Sequence, residues 1–358
     1  MTKQQSPHYA KMSHATAISL GLTRGRMYRG AVNRCVNLLV HYPEGCSANC
    51  AYCGLAKKRP GTYREKSFIH VEWPVVSMDR IAVAINAAPP YVKRTCISMI
   101  TNGKCTDDAI HMTKSLKADT TLPISVLISP TIMKTGDLKA LRNAGADKIG
   151  VAIDLATEDL FSLYRGKGVS GPHKWEKYWE TMASGVGIFG RGNVGAHLMV
   201  GMGETEQQMT ALMARLRKMG VLSHLFSFFA EEESALTGKT QPPWPTYLRV
   251  QLARYIVEEE LAGFDDMQFD SEGRIAGFGL SDEQISEIIR SGIPFMTTGC
   301  LGDDGKVACN RPFGNCLPDV KQWNYPYEPN DEETGLIRQQ IFEQAWPRLK
   351  CMPDEKTF

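Results

Sequence analysis

Residues 46–53 read Cys46-Ser47-Ala48-Asn49-Cys50-Ala51-Tyr52-Cys53, three thiols spaced C-x3-C-x2-C. A chain with this stretch must fold so that one loop gathers soft thiolates around an inorganic centre. Such ligands favour iron–sulfur clusters, zinc or copper(I). Three thiols are one fewer than a closed four-cysteine site needs. Two readings follow: a four-iron cluster whose remaining iron takes a non-protein ligand, or a zinc knuckle completed by His41.

At 358 residues the chain has room for one large domain with extensions or for two domains. A hydrophobic fraction of 43% supplies a sizeable core. The formal net charge of +2, with no dense basic patch, argues against a nucleic-acid partner. Ten cysteines are too sparse in this length for a disulfide scaffold, and six of them fall into two clusters, which points to metal and a reducing compartment. Met1 to Lys11 is polar and lacks an apolar signal-peptide core, and no apolar run approaches the ~18–20 residues of a membrane span. The expectation is a cytoplasmic protein with no membrane partner.

Residues 1–32 read as a polar lead-in, loose or briefly helical. Cys35 to Val40 is a short apolar run, a buried strand that feeds the cysteine loop. Lys57-Lys58-Arg59-Pro60-Gly61 reads as a solvated stretch. Strands follow over 95–100, 124–128, 148–154, 193–200 and 222–229, alternating with helices. Ser77 caps one helix, Gly145 stops another, and Met209, Leu212, Met213 and Leu216 stripe a third. Alternation of this kind predicts right-handed βα units around a parallel sheet, six in number and short of an eight-stranded barrel. From about residue 265 the pattern changes; Ser281 and Gln284 form a capping-box pair, and prolines punctuate a loop-rich remainder.

The thiol spacing, with an aromatic just before the last cysteine, resembles the signature of the radical S-adenosylmethionine (radical SAM) enzymes. The resemblance implies a partial (βα)6 TIM-like barrel within an α/β fold, spanning 33–265 between an N-terminal extension (1–32) and a C-terminal one (266–358). It implies that Cys46, Cys50 and Cys53 hold a [4Fe-4S] cluster whose free iron chelates SAM, with Tyr52 beside the adenine. The motif's place after the first strand of a long α/β chain favours this over the zinc knuckle. Reduced, such a cluster yields a 5'-deoxyadenosyl radical.

Other candidate contacts follow from strand ends, where barrels carry their functional groups. Gly201-Met202-Gly203-Glu204-Thr205 opens a helix after the fifth strand. It is either a tight turn capped by Thr205 or, as in radical SAM enzymes related to biotin synthase, a glycine-rich cradle for adenosine through Gly201, Gly203 and Glu204. Asp154 reads as a ribose acceptor or a local cap. Arg165 reads as a partner for the methionine carboxylate or as a surface arginine. Where the family places a Gly-Gly-Glu-type motif for the SAM amino group, this chain has Asn102-Gly103-Lys104, leaving Asn102 as the substitute. His197 lies in an apolar strand and reads as a core residue; Trp175, Tyr178 and Trp179 have the spacing of a packed helix face.

A second group, Cys300, Cys309 and Cys316, is spaced C-x8-C-x6-C among glycines that permit sharp turns. It fits a zinc site or an auxiliary iron–sulfur cluster, with a fourth ligand from Cys35, a hydroxyl such as Thr298, or outside the protein. The stretch from Thr298-Gly299-Cys300 through Cys309-Asn310-Arg311-Pro312-Phe313 to Asn324-Tyr325-Pro326 resembles the C-terminal region of the two-component lipoyl synthases of the archaeal type. In that family the first two tail cysteines lie closer together than they do here. The resemblance implies insertion of sulfur into an octanoyl chain on a carrier-protein lysine. On chemical grounds a radical at an unactivated carbon then needs a sulfur atom, which the auxiliary cluster supplies as sulfide if the tail folds across the barrel's open mouth and faces SAM across the substrate. The resemblance also implies three partners: a companion radical SAM subunit, an octanoylated lipoyl-carrier protein or domain, and a ferredoxin- or flavodoxin-type reductant. Alternatives are another radical SAM reaction, biotin-synthase-like or a mutase, and a non-catalytic iron–sulfur protein.

Overall fold

A computed structural model describes residues 4–66, 71, 73–309 and 325–342. In chain order the strands are β1 (Tyr9–Met12), β2 (Cys35–Val40), β3 (Val75–Ser77), β4 (Arg94–Ser98), β5 (Ile124–Ile128), β6 (Ala146–Asp154), β7 (Val194–Val200), β8 (Val221–Ser227), β9 (Gln268–Phe269) and β10 (Ile275–Gly277). The helices are α1 (His14–Ser19), α2 (Met78–Asn86), α3 (Cys105–Asp119), α4 (Asp137–Ala144), α5 (Glu158–Tyr164), α6 (Trp175–Phe189), α7 (Glu206–Met219), α8 (Trp244–Glu258), α9 (Asp282–Arg290) and α10 (Asp331–Phe342).

Six strands, β2-β4-β5-β6-β7-β8, run parallel and stand in the sheet in their order along the chain. Each donates an inward residue to one cavity: Asn37, Cys96, Ser125, Gly150, His197 and His224. The sheet therefore curves around that cavity as the expected partial barrel. Among the described residues β8 pairs only with β7, so the curve stays open. Both faces of such strands are covered, one by helices and one by the cavity, which is why they read as continuous apolar runs.

Local sequence explains the helical layer. The α7 stripe of Met209, Leu212, Met213 and Leu216 is buried, and Thr205 with Gln208 closes a reciprocal capping box at its start. Gly145 ends α4 at φ 112°, a left-handed conformation that glycine adopts without a Cβ penalty. Ser77 occupies the position before α2 but makes no side-chain cap bond there. In α6, Tyr178 and Trp179 are buried as their spacing predicts, with Trp175 packed edge-on against Phe161.

Two regions depart from the expected pattern. The N-terminal lead-in contributes β1, which pairs antiparallel with β2 and β3 and extends the sheet beyond the barrel. Its Lys11 looks like a solvent-facing residue in sequence, yet it is buried and donates from Nζ to the Tyr63 carbonyl at 2.7 Å. The stretch after residue 290 is also less irregular than expected, because α10 packs on α8 and α9. A buried ion pair ties this C-terminal part to the barrel: Arg249 of α8 donates to Glu206 of α7 at 2.6 Å and to the Ile341 carbonyl of α10 at 3.2 Å. Glu206 also accepts from the Ile275 amide of β10 at 2.8 Å. No described helix is long and apolar enough to cross a membrane.

Candidate active site

The loop that leaves β2 carries the first three thiols, and it is stitched to the segments that follow β4 and β8 and to the end of α5. Ser47 donates from both its amide and its hydroxyl to the Thr101 carbonyl after β4, each at 2.8 Å. The Ala51 amide donates to Tyr164 at the end of α5, also at 2.8 Å. Arg59, expected in a solvated stretch, instead reaches across the barrel: Nη1 donates to the Gly54 carbonyl and Nε to the Glu232 carbonyl beyond β8, both at 2.8 Å. Gly45 turns at φ 69°, and a Cβ there would come within 2.9 Å of the Tyr63 ring. His41 is buried, stacks on Tyr63 with ring centroids 5.8 Å apart, and is held neutral by burial with its pKa lowered to about 4. It is not among the residues that line the cavity with Cys46, Cys50 and Cys53.

That cavity, of about 300 Å³, runs through the barrel. At its C-terminal end Asp154, the last residue of β6, adopts φ 63°, a strained conformation for a non-glycine residue and one that tends to mark functional positions. Its Oδ2 accepts from the Tyr52 hydroxyl at 2.5 Å and from Arg165 Nη1 at 2.6 Å. The same Arg165 nitrogen also donates to the Ala152 carbonyl. Three sequence candidates, Tyr52, Asp154 and Arg165, are thus drawn into one hydrogen-bonded unit beside the thiol loop. Arg165 is buried, with its guanidinium 5.0 Å from the Tyr178 ring centroid and within reach of the Cys50 thiol.

The remaining SAM candidates stand outside the cavity lining. Asn102 donates from Nδ2 to the Gly45 carbonyl at 3.0 Å and accepts the Lys104 amide at 3.1 Å, so it braces the thiol loop from behind. Gly201 and Gly203 take φ values of 102° and 122°. The amides of Gly201 and Met202 donate to the Glu204 carboxylate at 2.7 and 2.9 Å. Burial raises the Glu204 pKa. These amides are satisfied internally, and a Cβ on Gly201 would meet Pro242 at 2.6 Å, so close packing also requires the glycine.

Sequence reasoning missed the middle of the cavity. His197, expected in the core, faces His224 across the β7–β8 pair with ring centroids 5.9 Å apart, and both line the cavity. Gly195 makes the room: a Cβ there would stand 2.7 Å from His224 Nε2. The cavity-facing positions place single polar or small residues, Asn37, Ser125, His197 and His224 among them, within otherwise apolar strands, and a lone polar residue in such a run reads equally as a satisfied core residue.

At the far end, the tail enters from below. The Ala308 and Cys309 amides donate to the Cys300 carbonyl at 3.0 and 3.1 Å, and a bridge joins Leu301 to Val307. The eight intervening residues form a small hairpin, so the long spacing still leaves Cys300 and Cys309 side by side. Gly299 is required, because a Cβ would fall 2.1 Å from the Cys309 carbonyl oxygen. The hairpin is held where the strands begin, by Arg94 donating to the Leu301 carbonyl at 2.5 Å and Arg34 to the Val307 carbonyl at 2.8 Å. The described hairpin therefore lies at the N-terminal end of the barrel, opposite the Cys46–Cys53 loop, where Arg34 and Arg94 present their donors. Cys316 lies outside the described residues.

Residues 40–216 match the family described as the Radical SAM superfamily. The chain carries a radical SAM domain. This family implies a [4Fe-4S] cluster that binds SAM, and the residues at the C-terminal end fit it. No described cysteine is in a disulfide, and burial raises the thiol pKa of Cys50, to about 11, and of Cys53, as suits thiols that become thiolates only against a cation. Arg165 Nε and His173 Nε2 are buried with no hydrogen-bond partner, and both residues line the cavity, where a polar cofactor would satisfy them. No three His, Cys, Asp or Glu side chains among the described residues are gathered around a single-ion site. A cluster puts each thiolate on a different iron and needs a wider set.

Beyond the radical SAM domain, no curated protein sequence matches the chain. Similar solved structures include a methylornithine synthase at 12% identity and TM-score 0.47, covering 77% of this chain and 84% of that one. A radical SAM methyltransferase from Kitasatospora setae aligns at 14% identity and TM-score 0.40, covering 60% and 41%. Coproporphyrinogen III oxidase from Escherichia coli aligns at 13% identity and TM-score 0.42, covering 81% and 66%.

Proposed function

We propose that the chain inserts sulfur into an octanoyl chain carried on a protein lysine, as one subunit of a two-component lipoyl synthase. The observation that carries this reading is the pair of thiol groups at opposite ends of one cavity, Cys46, Cys50 and Cys53 above, Cys300 and Cys309 below. A rearrangement or a plain hydrogen abstraction would not require the second group. The tail motif's resemblance supplies the substrate class.

When bound, a reduced four-iron cluster with SAM supplies a carbon radical able to take hydrogen from an unactivated C–H bond. The protein's residues do the rest. Cys46, Cys50 and Cys53 fix the cluster at the C-terminal end. Arg165, with its free Nε, pairs with a carboxylate there, while Asp154 and Tyr52 hold it in place. The cavity between the two thiol groups, walled by Met199 and Phe226, is suited to an alkyl chain and excludes water from it. Cys300 and Cys309 hold the sulfur source below. The companion subunit completes the second insertion, a ferredoxin- or flavodoxin-type protein supplies electrons, and the carrier domain presents its lysine at the open end.

The test is anaerobic reconstitution followed by incubation with SAM, a reductant and an octanoyl-lysine peptide. With the octanoyl peptide and its singly thiolated form offered in separate reactions, this chain alone should add one sulfur to one of the two. Complete lipoyl formation from the octanoyl peptide without the companion, or 5'-deoxyadenosine with no sulfur added to either peptide, would contradict the reading.

A further inference from the structure

The lower thiol group is larger than the tail supplies. In β2 and β4 the register pairs Cys35 with Arg94 and Asn37 with Cys96. Strand side chains alternate between faces, so Cys35, Asn37, Arg94 and Cys96 share the inward face at the N-terminal end. The tail hairpin lies against that face. Asn37 Nδ2 is 4.0 Å from Cys309 Sγ, and Arg94 holds Leu301, next to Cys300. The Cys309 thiol lies within electrostatic range of both Cys35 and Cys96, and Cys300 within range of the same two. Four thiols from three separated stretches of chain thus converge beneath the cavity, and none forms a disulfide.

We propose that Cys35 and Cys96 complete a four-thiol site with Cys300 and Cys309, holding the second iron–sulfur cluster without Cys316. This rests on the reading of a second cluster given above. It names a fourth-ligand answer with two strand cysteines in place of one. Chemically, four thiolates are the full ligand set of a [4Fe-4S] cluster, whereas one that donates sulfide must lose and regain its contacts. Two ligands on rigid barrel strands keep the site in place through that loss, while two on a hairpin are able to shift. Nearby positive charge suits the thiolates: Arg94 is buried against Cys35 and Cys300, and Lys148 is near Cys300.

The experiment uses the full chain with Cys46, Cys50 and Cys53 replaced by alanine, so that only the lower site binds iron. Anaerobic reconstitution should give about four iron and four sulfide per chain, with an electron paramagnetic resonance signal on reduction. Adding Cys35→Ser and Cys96→Ser, nearly isosteric changes, should remove that iron or move the signal. Cys96→Ser alone, at a residue facing the cavity, should at least move it, and guards against a folding defect at the deeper Cys35. Cys316→Ala should leave both iron and signal unchanged. Iron and signal unchanged in the serine variants, or lost in Cys316→Ala, would overturn the proposal. So would zinc in place of iron, or a Cys35–Cys309 or Cys96–Cys309 disulfide with no metal. Iron counting involves no turnover, so a failed sulfur-transfer assay with this iron intact would sink the function and spare the ligand set.

Discussion

At the C-terminal end of β6 Asp154 holds Arg165, and at its N-terminal end Asp147 holds Arg94 through two bonds of 2.6 Å. One strand thus anchors a buried arginine at each end of the cavity. The upper arginine retains a donor with no protein partner, Nε, whereas the lower one spends its Nε on the tail's Leu301 carbonyl. The upper end is therefore built to receive a ligand, and the lower end to bind a piece of its own chain. The carboxylates differ as well: the Asp154 side chain is 13% exposed and the Asp147 side chain 38% exposed. Loss of the upper arginine strands a charge; loss of the lower one leaves a charge that water can reach.

The strongest way to break this comparison is to empty one end at a time. Replacing Cys46, Cys50 and Cys53 with alanine should reduce SAM cleavage to background while the lower iron remains; cleavage at the wild-type rate would mean that the upper end is not the SAM site. Replacing Cys300, Cys309 and Cys316 should do the reverse, keeping formation of 5'-deoxyadenosine and abolishing sulfur transfer to the octanoyl peptide. Normal thiolated product from that variant would make the lower end structural.

The two arginines sharpen it further. Arg165→Gln leaves Asp154 buried without its partner and should lower stability by about 3–5 kcal/mol, read by denaturant unfolding. It should also weaken SAM binding roughly 10–100-fold, the worth of a charge-assisted bond. Arg94→Gln leaves a half-exposed carboxylate and should cost only about 1–3 kcal/mol, with SAM binding unchanged. Equal costs at the two ends would erase the distinction drawn from exposure.

The last test is of pH dependence. Burial lowers the pKa of His173 to about 2 and of His224 to about 3, from 6.5. Both stay neutral in the folded chain while the unfolded chain takes up protons below 6.5, so stability should fall as pH drops from about 6.5 toward 4. His224→Asn should flatten that slope, and an unchanged slope would remove His224 as its source.

The upper end was legible in sequence because its signal is local: three thiols and an aromatic within one loop, followed by strand ends at Asp154 and a helix end at Arg165. The lower end was legible only in part. Cys300 and Cys309 announce themselves by their glycines, but Cys96 is one small residue in the strand Arg94-Thr95-Cys96-Ile97-Ser98. Only its register against Asn37 shows which face it takes. The same limit hid His224. β1 was missed because Lys11 in a four-residue strand looks solvated, and its burial depends on carbonyls at Tyr63 and Arg64, some fifty residues away. The alternation of strands and helices was legible throughout, whereas the order of the strands leaves no mark in periodicity, and the barrel was expected from the family resemblance alone.

That order has a consequence for how the protein is made. Each barrel strand from β5 onward finds its neighbour in the strand synthesised just before it, so the sheet can grow at one edge as the chain emerges, with few long loops to close. The hairpin at residues 300–309 is the exception: it must travel back to Arg34 and Arg94, more than two hundred residues earlier. Until it arrives, the floor of the barrel stands open to small solutes from below. Biogenesis is thus staged, with the upper thiol loop fully braced once the segment after β8 has emerged and the lower chamber sealed last.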